Sequence, residues 1–431
     1  MHKIERLLQT LAPKGVEFRK LGDIGEYIRG VTYKKNQEIN NLECGIKVLR
    51  ANNITLSNHL NFEDIKVINK NVKIRKEQYL KKNDILICAG SGSSEHIGKV
   101  AFINMDFDYV FGGFMGVIRI REVNSRFVYH IFTSNIFKQY LEKSLNTTTI
   151  NNLNANILQN FLIPIPPLEI QQEIVKILDA FTELNTELNT ELNARKKQYQ
   201  YYQNMLLDFD GIHSDHKDTK IKTYPKRLKT LLQTLAPKGV EFRKLGEVCE
   251  STNKRTLKVS EVSEVKNKGM YPVINSGRDL YGYYHDFNND GENITIASRG
   301  EYAGFINYFN EKFFAGGLCY PYKVKDTNEL LTKFLYFYLK TNEIQIMENL
   351  VFRGSIPALN KADIETLTIP IPPLEIQQEI VKILDPFSIL TTDLLAGIPA
   401  EINARKKQYE YYREKLLTFK PLTPHKEVKK C

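Results

Sequence analysis

The strongest constraint in this sequence is that two long phrases occur twice without a single change. Residues 7–22 read LLQTLAPKGVEFRKLG and recur at 231–246, and residues 163–179 read IPIPPLEIQQEIVKILD and recur at 369–385. Between the copies lie two long stretches that have little sequence in common. Because internal repeats set an architecture before any local feature does, the pattern predicts one scaffold that is used twice and carries two different inserts.

The two inserts, at about 15–160 and 239–366, share an order of local features. Both contain short runs of Val, Ile, Tyr and Phe that are broken by Gly and Asn, which is typical of strands and turns. In each insert an apolar run leads to a small-residue loop and then to a Gly-Gly pair, at 112–113 in the first and 316–317 in the second. We therefore expect the inserts to share one fold with different surfaces.

A long amphipathic helix is predicted after each IPIPP motif. Pro166 and Pro167 favour a helix start, and apolar residues then recur at alternating spacings of four and three, which is a heptad seam. A helix of this length with one apolar stripe needs a partner, and if the halves are related by a two-fold axis the two copies form an antiparallel coiled coil. The predicted seam residues are Ile170, Ile174, Ile177, Phe181, Leu184 and Leu188 in the first helix and Ile376, Ile380, Ile383, Phe387, Leu390 and Leu394 in the second.

The first helix contains the phrase TELN three times in succession, at 182–193, and the second helix has no counterpart. Four residues make about one helical turn, so each copy adds about 6 Å while the apolar stripe stays intact. We interpret the block as an adjustable spacer, and ordinary low complexity within a helix is the alternative. In the second helix Pro386, Gly397 and Pro399 predict kinks.

The composition is that of a basic globular protein. The formal net charge is +10, with 42% apolar and 26% charged residues. An excess of Lys and Arg suits a polyanionic partner, although a soluble protein can also be basic without one. The five cysteines form no CxxC pair, and no apolar run is long enough to span a bilayer, so we expect a soluble protein of the reducing cytoplasm without a membrane partner.

Searches for catalytic motifs find none that fits. The run from Gly92 to Lys99 has five residues between its glycines, and Val100 follows the lysine, so it does not match a phosphate-binding loop. The DPF triplet at 385–387 lacks the second proline of an N6-adenine methyltransferase motif. The sequence also has no HExxH and no GxSxG. We therefore predict no catalytic residue and no metal site.

Basic and polar side chains near aromatic residues in the loops of the inserts are candidate readers of DNA. Arg pairs with guanine, Asn and Gln pair with adenine, and Lys and Arg hold phosphates. For each candidate, an ordinary exposed residue is the alternative interpretation. The predicted contacts are Lys34, Lys35, Ser91, Ser93, His96 and Lys99 in the first insert and Lys254, Arg255, Arg278, Arg299, Tyr302 and Arg353 in the second.

Together these motifs carry a resemblance to a known family. Two divergent domains, each followed by PPLEIQQEIV and by a helix that ends in ARKKQYQYYQ or ARKKQYEYYR, resemble the specificity subunit of type I restriction–modification systems. The resemblance covers nearly the whole chain. It implies that each insert is a target recognition domain that reads one half of an asymmetric bipartite DNA site, and that the helix pair sets the spacing between the halves.

The resemblance also implies partners for the chain. Two methyltransferase subunits would dock on the helices, and motor-nuclease subunits would complete the restricting complex. The chain itself would hold no cofactor, since S-adenosylmethionine, ATP and magnesium belong to the partner subunits. TELN matches a four-residue repeat whose copy number varies in this family. The alternatives are a related system with a fused nuclease or with methylation only, and a coiled-coil adaptor without a DNA role.

The expected fold class is α+β, with two mixed α/β target recognition domains joined by two long helices in a pseudo-two-fold symmetric antiparallel coiled coil. The predicted segments are a first recognition domain at 1–162, a helical spacer at 163–210, a linker at 211–230, a second recognition domain at 231–368, a second helical spacer at 369–420 and a flexible tail at 421–431.

Overall fold

The structure is a computed structural model that describes residues 2–39, 44–91, 96–145, 153–209, 224–392 and 397–422. The chain divides into two compact units. The first unit comprises Met1–Leu188 and Ile402–Cys431, and the second comprises Asn189–Glu401. Each unit therefore combines one insert with parts of both predicted long helices.

The first half of the chain supplies the strands and helices of the first unit and one long helix. These elements are α1 His2–Leu11, β1 Glu17–Lys20, α2 Leu21–Ile24, β2 Gly25–Arg29, β3 Glu38–Ile39, β4 Ile46–Leu49, β5 Lys66–Ile68, β6 Ile85–Cys88, β7 Val100–Phe102, β8 Tyr109–Phe111, β9 Met115–Ile120, α3 Ser125–Phe132, α4 Asn135–Leu145, α5 Ala155–Gln159, β10 Leu162–Ile165 and α6 Leu168–Leu206.

The second half follows a similar order, although the numbers of strands and helices differ. Its elements are α7 Lys226–Leu235, β11 Glu241–Lys244, α8 Leu245–Val248, β12 Cys249–Ser251, β13 Tyr271–Ile274, β14 Gly282–Tyr284, β15 Glu292–Ala297, β16 Ile306–Asn310, β17 Phe314–Ala315, β18 Cys319–Val324, α9 Thr332–Thr341, α10 Glu343–Leu350, β19 Val351–Phe352, β20 Ala358–Leu359, α11 Lys361–Glu365, β21 Thr368–Ile371, α12 Leu374–Thr392 and α13 Ile398–Leu417.

The two inserts share the topology of one sheet, and their second sheets are similar but differ by one strand. A four-stranded antiparallel sheet has the order β2-β9-β6-β7 in the first unit and β12-β18-β15-β16 in the second. A second sheet has the order β3-β5-β4-β8 in the first unit and β14-β13-β17 in the second, and each contains one parallel pair, β4 with β8 and β13 with β17. This confirms the prediction that unlike sequences between the repeats form one fold.

The two repeated phrases are hydrogen-bonded partners. In the first unit β1 pairs antiparallel with β10, with Glu17 opposite Ile165 and Lys20 opposite Leu162. In the second unit β11 pairs with β21 in the same register. The predicted boundary after residue 162 therefore falls inside a strand that closes the recognition domain, because the IPIP strand belongs to the domain as well as leading into the helix.

A buried glutamine in each repeat ties the long helix to its domain. The Nε2 of Gln171 donates to the Pro166 carbonyl at 2.7 Å, and its Oε1 accepts from the Asn124 N–H at 2.9 Å. Gln377 accepts in the same way from the Leu331 N–H at 2.8 Å. These bonds satisfy a carbonyl just before each long helix and an N–H at the start of α3 or α9. Such backbone groups cost free energy if they are left unpaired in the interior.

An aspartate at the end of each repeat makes a second tie. Asp179 pairs with Arg126 of α3 at 2.9 Å and accepts from the buried ring of His130 at 2.9 Å. In the second unit Asp385 pairs with Lys333 of α9 at 2.7 Å. Burial lowers the pKa of His130, which keeps this ring neutral at neutral pH. The repeated phrase thus fixes one face of each long helix against the recognition domain beside it.

The helices pair in the antiparallel sense within each unit. In the first unit Ile170 and Ile174, at the start of α6, share a core with Leu416 and Leu417 at the end of α13, and the Phe181 ring stacks on a Tyr of α13 at 5.7 Å. In the second unit the start of α12 shares a core with the end of α6. The expected antiparallel pairing of helices is therefore present within each unit.

The buried stripe is wider than the predicted seam. Leu178 and Leu384, which lie outside the heptad positions, are completely buried, together with Ile170, Ile174, Ile376 and Ile380. The remaining described seam positions are half-buried, namely Ile177, Phe181, Leu184, Leu188, Ile383, Phe387 and Leu390. A helix that packs on a domain as well as on a partner helix buries a broader face than a two-helix seam does.

The second helical spacer differs from the first. The first is one helix that runs through all three TELN phrases, whereas the second consists of α12 and α13. Helix α12 continues through Pro386, and α13 begins at Ile398 between Gly397 and Pro399. The predicted seam residue Leu394 lies outside the described residues.

Two predicted boundaries also change. Helix α7 begins at Lys226, so 226–230 of the predicted linker are helical, and 211–223 lie outside the described residues. The predicted tail starts as ordered chain, because Pro421 bridges to Val16 and the Leu422 N–H donates to the same residue at 3.0 Å. None of the described helices is both long enough and apolar enough to cross a membrane.

Replacing the buried glutamine tests this account of the repeat. Gln171→Ala leaves a buried carbonyl and a partly buried N–H without their side-chain partner, so we expect the free energy of unfolding to fall by about 2–4 kcal/mol. The matched control is Gln172→Ala, which removes the exposed neighbouring glutamine. Urea unfolding followed by circular dichroism measures the stability of both variants. Equal effects of the two substitutions would contradict the proposed role of Gln171 in holding the helix to its domain.

Candidate nucleic-acid interface

The first unit carries a basic groove on the loops at one end of its two sheets. The groove has a volume of about 970 Å³. It is lined by four cationic side chains and one carboxylate, together with the amide of Asn52. The charged lining residues are Arg29, Lys35, Arg50, Lys66 and Glu38. Such an excess of positive charge in a concave surface attracts a polyanion.

Close approach of two turns forms the floor of this groove. Gly30 follows β2, and a Cβ atom there would lie 2.0 Å from the Gly112 carbonyl oxygen. The absence of a side chain lets the Gly30 N–H bond to Met115 and the Val31 N–H bond to Phe111 at the β8–β9 turn. Glycine at this position thus brings the strand that carries Arg29 against the turn.

The structure brings some of the predicted residues of the first insert to this groove. Lys35 is exposed and lines the groove, and Ser91 also lines it. Lys34 is exposed and precedes a short helical turn, and its backbone N–H donates to the Gln37 Oε1 of that turn at 2.8 Å. His96 is half-buried, and within the described chain its Nδ1 has no hydrogen-bond partner. The predicted contact Ser93 lies outside the described residues.

Lys99 is a correction to the predicted set. Its side chain is buried, and its Nζ donates to the Ala51 carbonyl at 3.0 Å and to the Ile54 carbonyl at 2.6 Å. Burial lowers the pKa of Lys99. The amine therefore holds the loop after β4 in place, and the geometry contradicts a direct contact with DNA.

In the second unit, Lys254 and Arg255 extend from the end of β12 and are exposed. The Lys254 Nζ donates to the Gly317 carbonyl at 3.3 Å and lies 4.2 Å from the centre of the Tyr320 ring. The Arg255 guanidinium lies over Phe314 at 5.3 Å. Partial burial lowers the pKa of Lys254. The aromatic rings hold both cations at the surface without neutralising their charge.

Hydrogen bonds join the other predicted loops of the second insert. Arg299 is bridged to Ala358, in the β19–β20 hairpin whose turn contains Arg353. The Gly300 N–H of the same loop donates to a carbonyl of this hairpin at 2.9 Å. This loop also carries Tyr302, which is exposed. The structure therefore brings these three predicted residues onto adjoining loops.

The Gly-Gly turn connects the remaining loop to this group. The Leu318 carbonyl accepts from the Ser298 N–H at 2.9 Å, and the Leu318 N–H donates to the Asn275 Oδ1 at 2.9 Å. Arg278 lies three residues beyond Asn275, is exposed and pairs with Asp279 at 3.3 Å. All six predicted positions of the second insert thus lie on loops of one connected group.

Sequence reasoning missed several residues of the first groove. Arg29 ends β2, Arg50 follows β4 and Lys66 begins β5. Each lies in or next to a strand, where alternation gave no reason to expect a binding residue. Phe114 was also missed, although its place directly after the Gly-Gly pair marks it as the tip of a tight turn. The described residues contain no group of His, Cys, Asp and Glu that could hold a metal ion.

Both halves of the chain match one known protein family. The profile of the type I restriction modification DNA specificity domain matches this chain twice, at residues 13–196 and 237–404. The chain belongs to the type I DNA specificity family. Each match spans one insert and extends into the helix after it, which agrees with the duplicated scaffold.

Related sequences support the same assignment. The specificity subunit of the type I restriction enzyme MpnII from Mycoplasma pneumoniae is 32% identical over 333 residues, which is 64% of this chain and 93% of the relative. A Haemophilus influenzae protein provisionally named as a type I specificity subunit is 31% identical over 370 residues, covering 81% of this chain and 86% of the relative.

Solved structures share the fold. The crystal structure of the type I S subunit from M. genitalium has a TM-score of 0.62 and 18% identity, and the match covers 94% of this chain and 96% of that one. A chain from a structural study of type I complex assembly and conformational transition has a TM-score of 0.52 and covers 94% and 97%. The fold of this chain, with two domains and long helices, is therefore shared with these S subunits.

Two lysines separate a structural role from a binding role in the first unit. Lys99→Met leaves two carbonyls without their donor, so we expect the free energy of unfolding to fall by about 2 kcal/mol. Lys35→Met should leave stability within about 0.5 kcal/mol and weaken DNA binding, with a smaller dependence on salt. Thermal unfolding measures the stability of both variants, and a salt titration measures their DNA binding. Reduced DNA affinity in a fully stable Lys99→Met variant would reverse our correction.

Proposed function

We propose that this chain is the non-catalytic DNA-recognition subunit of a type I restriction–modification complex and reads an asymmetric bipartite site. The observation that carries the proposal is that two closely similar sheet arrangements carry two unlike sets of loops. A fold used twice supports two recognition domains. Different side chains on equivalent loops support two different half-sites.

The chemistry of each loop group suits base and phosphate contacts. In the first domain Arg29, Arg50 and Asn52 lie together in the groove, and Arg and Asn are the side chains that form bidentate contacts with guanine and adenine. Part of this charge is internally paired, since Arg50 contacts Asp64 at 2.7 Å. In the second domain Arg299 offers the same chemistry on different loops. Lysines at the edges would hold phosphates.

The helix pair has a separate role in this proposal. The exposed faces of α6, α12 and α13 would dock two methyltransferase subunits, and motor-nuclease subunits would join them in the restricting complex. S-adenosylmethionine, ATP and magnesium would be bound by those partners, and the assembly would act on DNA in the cytoplasm. The name of the MpnII relative as a subunit of a type I restriction enzyme supports this assignment.

Sequencing of methylated bases tests the proposed function directly. Cells that express this chain with the methyltransferase encoded beside it should show methylation at one motif with two unlike half-sites and a fixed spacer. Cells with the methyltransferase alone are the control. Methylation at a contiguous or palindromic motif would contradict the proposal, because two unlike domains cannot read identical halves.

The TELN block provides a second prediction. Removal of one copy, residues 186–189, shortens α6 by about 6 Å, against about 3.4 Å per base pair of DNA. We expect the spacer to shorten by about one or two base pairs while both half-sites stay unchanged. Replacing the same TELN by AELA is the matched control, since it keeps the length and the leucine. An unchanged spacer after the deletion would refute the adjustable-spacer hypothesis.

Removal of positive charge from the second domain provides a third prediction. The double substitution Arg299→Gln and Arg353→Gln should weaken binding and lower the slope of log affinity against log salt by about 2 if both contact phosphate. Arg243→Gln is the control, because Arg243 lies on β11 and pairs with Glu329. Fluorescence anisotropy between about 50 and 200 mM salt measures the slopes. Equal slopes together with equal affinities for the double variant and the unmodified chain would exclude these arginines from the interface.

A further inference from the structure

We infer that Phe114 enters a base step of the first DNA half-site as an apolar wedge, and that Leu318 does the same at the second. The inference rests on the proposed DNA recognition and adds the residues that deform the DNA. It comes from an exposed apolar side chain that stands at the same point of both domains, directly after the Gly-Gly pair.

The position of Phe114 calls for a particular kind of partner. Its side chain is 75% exposed at the tip of the β8–β9 turn, and it borders the basic groove that contains Arg29 and Lys35. Full burial of a phenylalanine stabilises by about 1.5–3 kcal/mol, and this ring forgoes much of that in the free chain. A partner that is apolar at its centre and anionic at its flanks fits this surface. A base step between two phosphates has that distribution.

Hydrogen bonds hold the backbone of the turn that carries Phe114. The Phe114 carbonyl accepts from the N–H groups of both Ala89 and Gly90, at 2.9 and 3.0 Å. The Met115 N–H donates across the turn to the Gly112 carbonyl at 2.8 Å. A side chain on such a turn enters DNA without the cost of ordering a loop, which distinguishes it from an exposed residue on a loose segment.

The second domain repeats the arrangement with a different side chain. Leu318 is 41% exposed, and its turn is held at both backbone groups, by Ser298 and by Asn275. A cation stands beside it, since the Lys254 Nζ bonds to the Gly317 carbonyl. The apolar tip, the fixed turn and the neighbouring positive charge are thus present in both domains.

The first domain has Phe and the second has Leu at the equivalent position. This difference favours an apolar wedge over a contact that requires one particular side-chain shape. Phe and Leu are both side chains that proteins insert between base steps, where they partly unstack the bases and kink the duplex. Pyrimidine–purine steps are the easiest to open. We therefore expect each half-site to contain such a step at the wedge position.

Fluorescence of 2-aminopurine tests the wedge in the assembled complex with the methyltransferase subunits. The probe is an adenine analogue that still pairs with thymine. It replaces each adenine in or directly beside both half-sites in turn, except the methylated adenine, which the methyltransferase itself takes out of the stack. The unmodified chain should raise the fluorescence at one step of each half-site. Phe114→Ala should abolish the rise in the first half-site alone and weaken specific binding about 10- to 100-fold. Leu318→Ala should abolish only the rise in the second, and Phe114→Leu should keep most of the signal.

A control variant and two contrary outcomes complete the test of the wedge. Phe18→Ala, which removes a 36% exposed phenylalanine from β1 of the same unit, should leave both signals unchanged. The inference is overturned if Phe114→Ala keeps the first signal and full affinity, or if the unmodified chain binds its site specifically without any rise. If the unmodified complex shows no sequence-specific binding at all, the proposed function fails as well, so the two failures are distinguishable.

Discussion

The antiparallel pairing of the two repeated phrases is the interaction on which each unit depends. Strand β1 pairs with β10 in the first unit and β11 with β21 in the second, so the chain enters and leaves each domain through one two-stranded ladder. Everything between the paired strands is a closed insert. Changes in its loops therefore leave the frame intact, because the backbone bonds of the ladder do not involve the side chains of the insert.

The same phrase carries this order onward into the long helices. The buried amide of Gln171 and the carboxylate of Asp179 hold the first turns of α6 against the domain, and Gln377 and Asp385 repeat this for α12. A recognition surface on loops needs a rigid support if it is to distinguish one base from another. In this chain the repeats supply the support, and the unlike loops supply the chemistry.

The sequence predicted the helices better than the site. A 4-3 apolar spacing is a local property, and it located the antiparallel seam without any tertiary information. It missed Leu178 and Leu384, because spacing reports a seam between two helices and says nothing of a third surface packed alongside. Domain boundaries were displaced for a similar reason. The IPIP strand precedes the helix in sequence, but its hydrogen bonds go to β1 and β11.

The sequence by itself determined that one scaffold is built twice, since identical phrases adopt identical pairings and their heptads require a partner helix. Only the tertiary structure decided which charged residues face a partner. Lys99 and Lys35 are the same residue type and cannot be told apart by charge in the sequence. In the structure the amine of Lys99 bonds to the carbonyls of Ala51 and Ile54, whereas Lys35 lines the groove. The sequence gives the charge of each side chain. Whether that side chain is buried depends on which distant loops pack against it, and only the tertiary structure determines this.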